Sequence, residues 1–168
     1  KRISKFKACD GFHIAHLTDH KIKVSINEVN NYKKIGGDFF VDTGSPHLVK
    51  FNQDLESLNI YEEFINSQKH NILKNEDVNV NFVSKKNNNT FLARTFERGV
   101  YAETLSCGTG AVAIAICAKL NYNLNDGKVN IITNGGDLIV NFKKDKNRFF
   151  DILLEGNAIH VFDGTFYL

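Results

Sequence analysis

The sequence predicts an α/β fold of the α+β type, in which an antiparallel, barrel-like sheet wraps around a central apolar helix. Two observations lead to this fold class. Short segments alternate between apolar and polar side chains, as in Lys21–Ile26 (KIKVSI), which is typical of strands with one buried face. In contrast, Ala111–Ala118 (AVAIAICA) is apolar on every helical face, so a helix there must be enclosed on all sides.

The first half of the chain is mostly strands. The predicted strands there are Phe12–Leu17, Lys21–Ile26, Asp38–Thr43 and His47–Asn52. The short polar link Thr18–His20 favours a hairpin between the first two, and the break Gly44–Pro46 holds the only proline, whose fixed φ suits a turn. Apolar residues recur at helical spacing from Asp54 to about Ser67, with Asp54 as the expected N-cap.

The second half contains the central helix and further strands. The predicted strands are Val78–Ser84, Phe91–Glu97, Lys128–Thr133, Asp137–Phe142, Phe149–Leu154 and Ala158–Asp163. The helix is predicted from Cys107 to about Leu120. Cys117, inside the apolar run, is expected to be a small buried hydrophobic residue.

Composition excludes several classes of partner. A net charge of +2 on 168 residues gives no reason to expect nucleic acid. No apolar run approaches the roughly 20 residues that cross a bilayer, so no membrane partner is expected. The three cysteines are odd in number and widely spaced, which favours a cytoplasmic, reducing compartment. They lack metal-ligand spacing and the histidines do not cluster near them, so no metal site is expected.

Cys107 is the residue most suggestive of chemistry. It precedes the predicted helix, where free backbone N–H groups and the helix dipole would lower the pKa of its thiol. The glycines of Gly108–Gly110 would let the backbone approach a carboxylate or phosphate closely. Glu97 and Arg98 lie nearby in an otherwise apolar stretch, and an arginine beside an anion site suggests a substrate carboxylate. The same residues are also compatible with a tight helix start and an ordinary ion pair at a strand end.

Five segments together resemble the diaminopimelate epimerase family over essentially the whole chain. They are Glu97–Ala111 (ERGVYAETLSCGTGA), Asp42–Val49 (DTGSPHLV), Val78–Val83 (VNVNFV), Gly136–Phe142 (GDLIVNF) and Phe162–Leu168 (FDGTFYL). The first of these is highly specific and the second moderately so. The resemblance implies two pseudo-symmetric domains, each a barrel-like sheet around a central helix, with the active site in the cleft between them.

The same resemblance divides the chain. Residues 26–157 are expected to form the second domain. Residues 1–25 would be the last strands of an incomplete N-terminal domain, and residues 158–168 would return to that domain as a terminal strand.

The activity that the resemblance implies is that of an isomerase interconverting LL- and meso-diaminopimelate, for lysine and cell-wall precursor biosynthesis. Its small-molecule partner would be diaminopimelate, and no cofactor is expected, neither pyridoxal phosphate nor a metal. In this family one cysteine thiolate removes the α-proton and a second cysteine thiol delivers a proton to the opposite face. Cys107 matches the second cysteine of that pair.

The partner cysteine is not found in this sequence. Cys9 lacks the following Gly-x-Gly and the apolar helix that the family's first-half segment has. We therefore expect a missing N-terminal segment to supply the second cysteine, and the chain alone to be inactive. The resemblance is compatible with a homodimer, and the residues themselves do not fix the oligomeric state.

The remaining site residues are also implied by the resemblance. Positions that match residues tuning the thiol pKa are His47 and Glu97; positions that match substrate-binding residues are Ser45, Asn79, Glu97, Arg98, Gly108 and Thr109. Two departures from the family pattern bear on these assignments. Ser45 stands where the family often has asparagine, and Val100–Ala102 contains one extra residue.

Three other functions remain open. The chain could belong to a related racemase or isomerase that works without pyridoxal phosphate on another amino acid. A nucleophilic-cysteine hydrolase using Cys107 with His47 is a second alternative. The third is a non-catalytic small-molecule binding domain that keeps the anion site without a second base.

Overall fold

A computed structural model describes residues 2–18, 20–51, 53–69, 77–125 and 127–167. Within these ranges a 12-stranded sheet surrounds one helix and packs against another. The strands are β1 (Arg2–Ala8), β2 (Gly11–Leu17), β3 (Lys21–Ile26), β4 (Tyr32–Ile35), β5 (Asp38–Asp42), β6 (Pro46–Lys50), β7 (Asn79–Asn87), β8 (Thr90–Glu97), β9 (Ala102–Thr104), β10 (Gly127–Thr133), β11 (Gly136–Asp145) and β12 (Arg148–Asn157). The helices are α1 (Ile60–Gln68) and α2 (Gly108–Tyr122).

The sheet is open and mixed. Its strand order is β1-β2-β3-β12-β11-β10-β8-β7-β6-β5-β4, with β9 added beside β8. The pairs β6–β7 and β8–β10 are parallel, and the other pairs are antiparallel. The predicted α+β class is confirmed, but the sheet does not close into a barrel, because β1 and β4 stand at opposite ends of the order.

Helix α2 is the central helix that the sequence predicts. Strands β5, β6, β7, β10, β11 and β12 all contact it, and every residue from Gly110 to Ala118 is buried. Phe39 and Val41 of β5 point toward this helix, because they share its apolar core. Full burial of side chains such as Ile114 stabilises the fold by about 1.5–3 kcal/mol each relative to exposure.

Helix α1 covers the opposite face of the same strands. Its buried residues Ile60 and Phe64 pack with Phe40 of β5, which alternates with the α2-facing residues of that strand. The rings of Phe64 and Phe96 stack with centroids 4.2 Å apart. The two helices therefore fix the β5–β8 region from both sides.

The start of α1 differs from the prediction. The N-cap is Asn59, whose side chain accepts from the Glu62 N–H, and Asp54 instead closes a turn by accepting from the Ser57 hydroxyl at 2.7 Å. Between them the backbone forms a turn at Leu55–Ser57, and the carbonyls of Leu55 and Leu58 accept from an arginine guanidinium. Asp54 is therefore not the helix cap.

Most predicted strands are confirmed, with shifted ends. The hairpin β2–β3 and the strands on either side of Gly44–Pro46 lie where the alternation places them. Two predicted positions, Asp19 in the hairpin link and Asn52 at a strand end, lie outside the described residues. The residue pattern predicts none of β1, β4 and β9, although the resemblance places strands within residues 1–25, where β1 lies.

The predicted strand Ala158–Asp163 is wrong in this structure. Residues 158–167 belong to no strand, and Ile159 and Phe166 are 83% and 85% exposed. A strand needs a neighbour for its backbone groups, and in the described part of the chain this segment has only one such contact, from the Ala158 N–H to the His20 carbonyl at 3.4 Å. Strand β3 pairs with β12 along its whole length. The strands expected to belong to the N-terminal domain therefore continue the same sheet. The domain boundary between residues 25 and 26 stays a prediction.

No helix in the described ranges is both long and apolar enough to cross a membrane.

Candidate functional site

Cys107 is the N-cap of α2. Its backbone is extended, with φ −128° and ψ 114°, and the helix begins at Gly108. The first backbone N–H groups of a helix have no hydrogen-bond partner within the helix, so those of α2 are directed toward the space beside Cys107. The thiol is buried, with 7% of Cys107 exposed, and its Sγ lies 3.5 Å from Oγ1 of Thr109.

The pKa of the Cys107 thiol is raised above its ordinary value, contrary to the sequence prediction. Burial is the largest cause, because a thiolate loses its water. The helix start does act in the predicted direction, since hydrogen bonds from the Thr109 side chain and the Gly110 N–H lower the pKa. The Glu97 carboxylate raises the pKa again, through its negative charge and by accepting a hydrogen bond from the thiol. The net result favours the protonated thiol in the free protein.

The first turn of α2 is closely packed. A Cβ at Gly110 would lie 2.5 Å from Oδ1 of Asn81 and 3.2 Å from Cβ of Cys107, so only glycine fits. At Gly108 a Cβ would lie 3.0 Å from Leu154. The glycines of this segment therefore allow close contact with β7 and β12, in addition to any approach of a ligand.

His47 lies on β6 and is completely buried. Its Nε2 is 3.1 Å from Oγ1 of Thr109, and its Nδ1 is 3.1 Å from Nδ2 of Asn81. Burial, and then the positive charge of Arg98, lower the pKa of His47 to about 3, so the ring is neutral. The contacts connect His47 to Cys107 through the Thr109 hydroxyl.

Three of the residues predicted to bind substrate lie together. Nδ2 of Asn79 donates to Oγ of Ser45 at 2.8 Å and to the Pro46 carbonyl at 3.1 Å, while Oδ1 of Asn79 accepts from the backbone N–H of Arg98. The Arg98 guanidinium donates to the carbonyl of Asp77 at 3.0 Å, and the side chain is otherwise exposed. Asn79 thus holds two loops in place, and its contact with a substrate stays a prediction.

Glu97 ends β8 and faces the start of α2. The Thr104 hydroxyl donates to its Oε1 at 2.6 Å. Glu97 pairs with Ala102 of β9, so the chain turns back at Arg98–Tyr101. Val100 and Tyr101 are each 60% exposed, so the extra residue of this loop lies in a solvent-facing turn away from Cys107.

Sequence reasoning missed Asn81 and Arg94. Asn81 is fully buried and connects His47 to Thr95, while Arg94 binds both carboxylate oxygens of Glu103 at 2.7 and 2.6 Å. The alternation in VNVNFV places Asn79 and Asn81 on one face of an otherwise apolar strand, and that signal could have indicated Asn81. Nothing local in the sequence distinguishes Arg94 from an exposed arginine.

Within the described ranges, no three histidine, cysteine, aspartate or glutamate side chains group together in a way that could hold a metal ion.

Sequence comparison finds relatives over most of the chain. A family profile described as Diaminopimelate epimerase matches residues 39–161. A curated diaminopimelate epimerase from Flavobacterium psychrophilum is 36% identical over 169 aligned positions, covering 98% of this chain and 65% of the relative. One from Hydrogenobaculum sp. is 36% identical over 163 positions, covering 89% and 57%. The chain therefore spans less than two thirds of the length of these relatives.

Structural comparison finds the same fold at low sequence identity. A hydroxyproline epimerase from Agrobacterium vitis, with bound trans-4-hydroxy-L-proline, superposes with a TM-score of 0.66 at 12% identity, covering 93% of this chain and 56% of that one. A PhzF-family phenazine biosynthesis protein from Bacillus anthracis gives 0.64 at 11% identity, covering 94% and 69%. At these identities the likeness shows the fold alone.

Proposed function

We propose, on the premise that this chain belongs to the diaminopimelate epimerase family, that Cys107 is one of two acid/base groups of an amino-acid epimerase acting on diaminopimelate. The observation that supports this best is the position of the thiol. It is buried at the N-cap of α2, with the Thr109 hydroxyl and the Glu97 carboxylate beside it. The reaction would interconvert the LL and meso forms, in lysine and cell-wall precursor biosynthesis in the cytoplasm.

The chemical step requires Cys107 to change protonation state. In one direction its thiolate takes the α-proton of the substrate, and in the other its thiol returns a proton. The raised pKa of the free thiol suits the second role, and the hydrogen bonds from Thr109 and Gly110 support the first. As the α-proton leaves, negative charge grows on the substrate α-carboxylate. The free N–H groups of Gly108 and Thr109 would stabilise that charge.

The two charged side chains beside the helix start suit an amino-acid substrate. Glu97 would contact a substrate amino group, and its carboxylate is already held by Thr104. Arg98 is exposed directly after β8 and would pair with a carboxylate at the distal end of the substrate. Ser45 and Asn79 would orient this end, because Asn79 connects Ser45 to the backbone of Arg98.

Inversion needs a second base on the opposite face of the α-carbon, since a single base returns the proton to the side from which it came. Cys117 is completely buried, and burial raises its thiol pKa well above the ordinary value. Cys9 is exposed on the β1–β2 turn, without a helix behind it. We infer that the second cysteine belongs to the part of the family protein that this chain does not match, which leaves the 168 residues alone inactive.

The test is stereochemical inversion of diaminopimelate in deuterated water. The chain is compared alone and fused behind the unmatched N-terminal part of the F. psychrophilum relative. Inversion is expected only from the fusion, and Cys107→Ala should reduce it at least about 100-fold. Cys117→Ala is the matched control and should retain turnover. Inversion by the chain alone at enzymatic rates, or normal turnover by Cys107→Ala, would contradict the proposal.

A second candidate is a non-catalytic binding domain. The raised thiol pKa favours it, because the free protein holds few thiolates at neutral pH. Calorimetry with diaminopimelate separates the two: the binding domain would bind the compound while its fusion never exchanges the α-proton. Turnover of a different amino acid instead of diaminopimelate would assign the chain to a related racemase.

A further inference from the structure

A row of polar side chains runs through the core from β8 to the start of α2. Thr95 contacts Asn81 at 3.0 Å between Oγ1 and Oδ1, and Asn81 contacts His47 at 3.1 Å. His47 contacts Thr109 at 3.1 Å, and Thr109 contacts Sγ of Cys107 at 3.5 Å. Thr95, Asn81 and His47 are buried, with at most 5% of each exposed. The row therefore ends at the proposed acid/base sulfur and is shielded from water for most of its length.

The orientation of the Asn81 amide follows from its neighbours. Nδ2 of Asn81 lies 3.2 Å from the Leu48 carbonyl, which can only accept, so the NH₂ group must face that oxygen. Its second N–H then points to Nδ1 of His47, and its carbonyl oxygen accepts from the Thr95 hydroxyl. Leu48 and Thr95 together leave one consistent amide orientation.

The orientation of Asn81 fixes the histidine tautomer. Because Nδ1 of His47 accepts from Asn81, it bears no proton, and the neutral ring must have its proton on Nε2. Nε2–H donates to Oγ1 of Thr109, which leaves the Thr109 hydroxyl proton free to point at Sγ of Cys107. Each donor in the row thus faces an acceptor one step closer to the sulfur.

We propose that Thr95 and Asn81 are positioning residues that hold His47 as its Nε2–H tautomer, so that the Thr109 hydroxyl donates permanently to Sγ of Cys107. The catalytic role of this hydrogen-bonded row rests on the proposed function, whereas the row of hydrogen bonds itself does not. A hydrogen bond to a charged acceptor is stronger than one to a neutral acceptor, so this donor favours the thiolate over the thiol. The hydrogen bond from Thr109 thereby offsets part of the rise in the Cys107 pKa that burial and the Glu97 charge cause.

The first measurement needs no variant. Nitrogen-15 NMR of the ¹⁵N-histidine-labelled chain distinguishes the two neutral tautomers. We expect His47 to show a protonated Nε2 and an unprotonated Nδ1 from pH 5 to 8, since its pKa is about 3. A protonated Nδ1 on His47 would overturn the proposal.

The second measurement is the pH dependence of Cys107 alkylation by iodoacetamide in a Cys9→Ser background. Two pairs of variants test the row: Thr109→Val with Thr109→Ser, and Thr95→Val with Thr95→Ser. Thr109→Val should raise the midpoint by about one pH unit, the size expected for one hydrogen bond to a charged group, and Thr109→Ser should restore it. Thr95→Val should raise it less and mix the His47 tautomers, while Thr95→Ser should behave as the parent.

The charged groups near the row are the same in every variant. They are Glu97 at the end of β8, whose charge affects Cys107, and Arg98, whose charge affects His47. An unchanged midpoint in a folded Thr109→Val chain would overturn the proposal. Neither measurement uses substrate, so the two proposals can fail separately. If the fusion inverts diaminopimelate but His47 lacks the expected tautomer, only this inference is wrong. If His47 has the expected tautomer but the fusion does not invert diaminopimelate, only the proposed function is wrong.

Discussion

His47 combines complete burial with a neutral ring, and this combination makes stability depend on pH. Its pKa is about 3 in the folded chain against 6.5 for an ordinary histidine, so the unfolded chain binds more protons between these values. Stability from the neutral ring is fully present above pH 6.5 and is lost as the pH falls toward 3. We expect this group to reduce the free energy of unfolding by about 1.4 kcal/mol per pH unit in that window.

Urea unfolding of the parent and of His47→Gln at several pH values measures this contribution. In His47→Gln the free energy of unfolding should fall less steeply as the pH decreases from 6.5 toward 3. His13 is the control, because hydrogen bonds to the Ser25 carbonyl and to Asp10 raise its pKa. Its contribution is present below pH 6.5 and is lost as the pH rises through the raised value. His13→Gln should therefore leave the slope of stability against pH unchanged from pH 6.5 down to 3.8, below which loss of the His13 contact also affects Asp10. Equal slopes in the parent and His47→Gln would contradict the assignment.

Gly110 shows how a missing side chain positions the site. A methyl group there would overlap Asn81 and press on Cys107, and neither can move far inside the core. Gly110→Ala should reduce stability by roughly 1–3 kcal/mol, in the range of overpacked cores, and should disturb Cys107 alkylation. Gly37→Ala, where no atom lies within 4 Å of the added methyl, should change stability by no more than about 0.5 kcal/mol. Thermal unfolding of both variants decides between these outcomes.

At the scale of elements, Arg94 connects three segments around the candidate site. Its guanidinium holds both oxygens of Glu103 on β9 and the carbonyls of Leu55 and Leu58 before α1. Lysine offers a point charge without this planar set of donors. In Arg94→Lys we expect the backbone amides of residues 98–106 to exchange hydrogen at least about tenfold faster, since one or two charge-assisted hydrogen bonds are lost.

Hydrogen exchange with mass spectrometry measures this effect directly. Arg148→Lys is a matched control, because the exposed Arg148 guanidinium contacts Glu28 at 3.5 Å and the Phe150 ring at 4.9 Å and binds no backbone carbonyl among the described contacts. Arg148→Lys should leave the hydrogen-exchange rates of the backbone amides of residues 98–106 unchanged. Unchanged protection in Arg94→Lys would mean that β9 is held by its strand pairing alone.

Elements were predictable where local pattern and tertiary packing agree. The run Ala111–Ala118 is apolar on every face, and α2 is enclosed accordingly. The predicted helix start at Asp54 is wrong, because the chain makes a turn at Leu55–Ser57 whose neighbouring carbonyls bind Arg94, a residue distant in sequence. Ala158–Asp163 alternates like a strand, but alternation does not supply a pairing partner. The residue pattern alone does not predict strand β1, because its residues are exposed, apart from half-buried Ala8.

The candidate site was predictable only in part, for a similar reason. The segment from Glu97 to Thr109 is continuous in sequence, so its residue types could be interpreted together. The contact of His47 with Thr109 joins positions 62 residues apart, and only the fold reveals it. The direction of the Cys107 pKa shift was mispredicted because the helix start is visible in the sequence, whereas the depth of burial is not.

At the scale of the whole molecule, apolar side chains are exposed in the last described segment. Ile159, Phe162, Phe166 and Tyr167 are 79–88% exposed, and Ile3 and Phe12 at the β1 end of the sheet are 64% and 65% exposed. Such exposed apolar side chains, together with an unpaired edge strand, favour association. We expect the purified chain to self-associate at micromolar concentrations, as measured by sedimentation velocity.

The double variant Phe162→Ser/Phe166→Ser should reduce this association. Val100→Ser, which removes a single apolar side chain from a turn, should not. A monomeric parent would contradict the expected self-association, and equal association in all three chains would show that this segment does not cause it.

The enclosure of α2 also affects how the chain can fold during synthesis. The strands that contact the helix come from both sides of it in the sequence, β5 to β7 before and β10 to β12 after. The ribosome must therefore add the residues from Tyr122 to Asn157, roughly 2–7 s of translation, before the apolar helix can be covered. During that interval the apolar residues of nascent α2 lack part of the sheet that covers them in the folded chain, and their cover is complete only once β12 has been added.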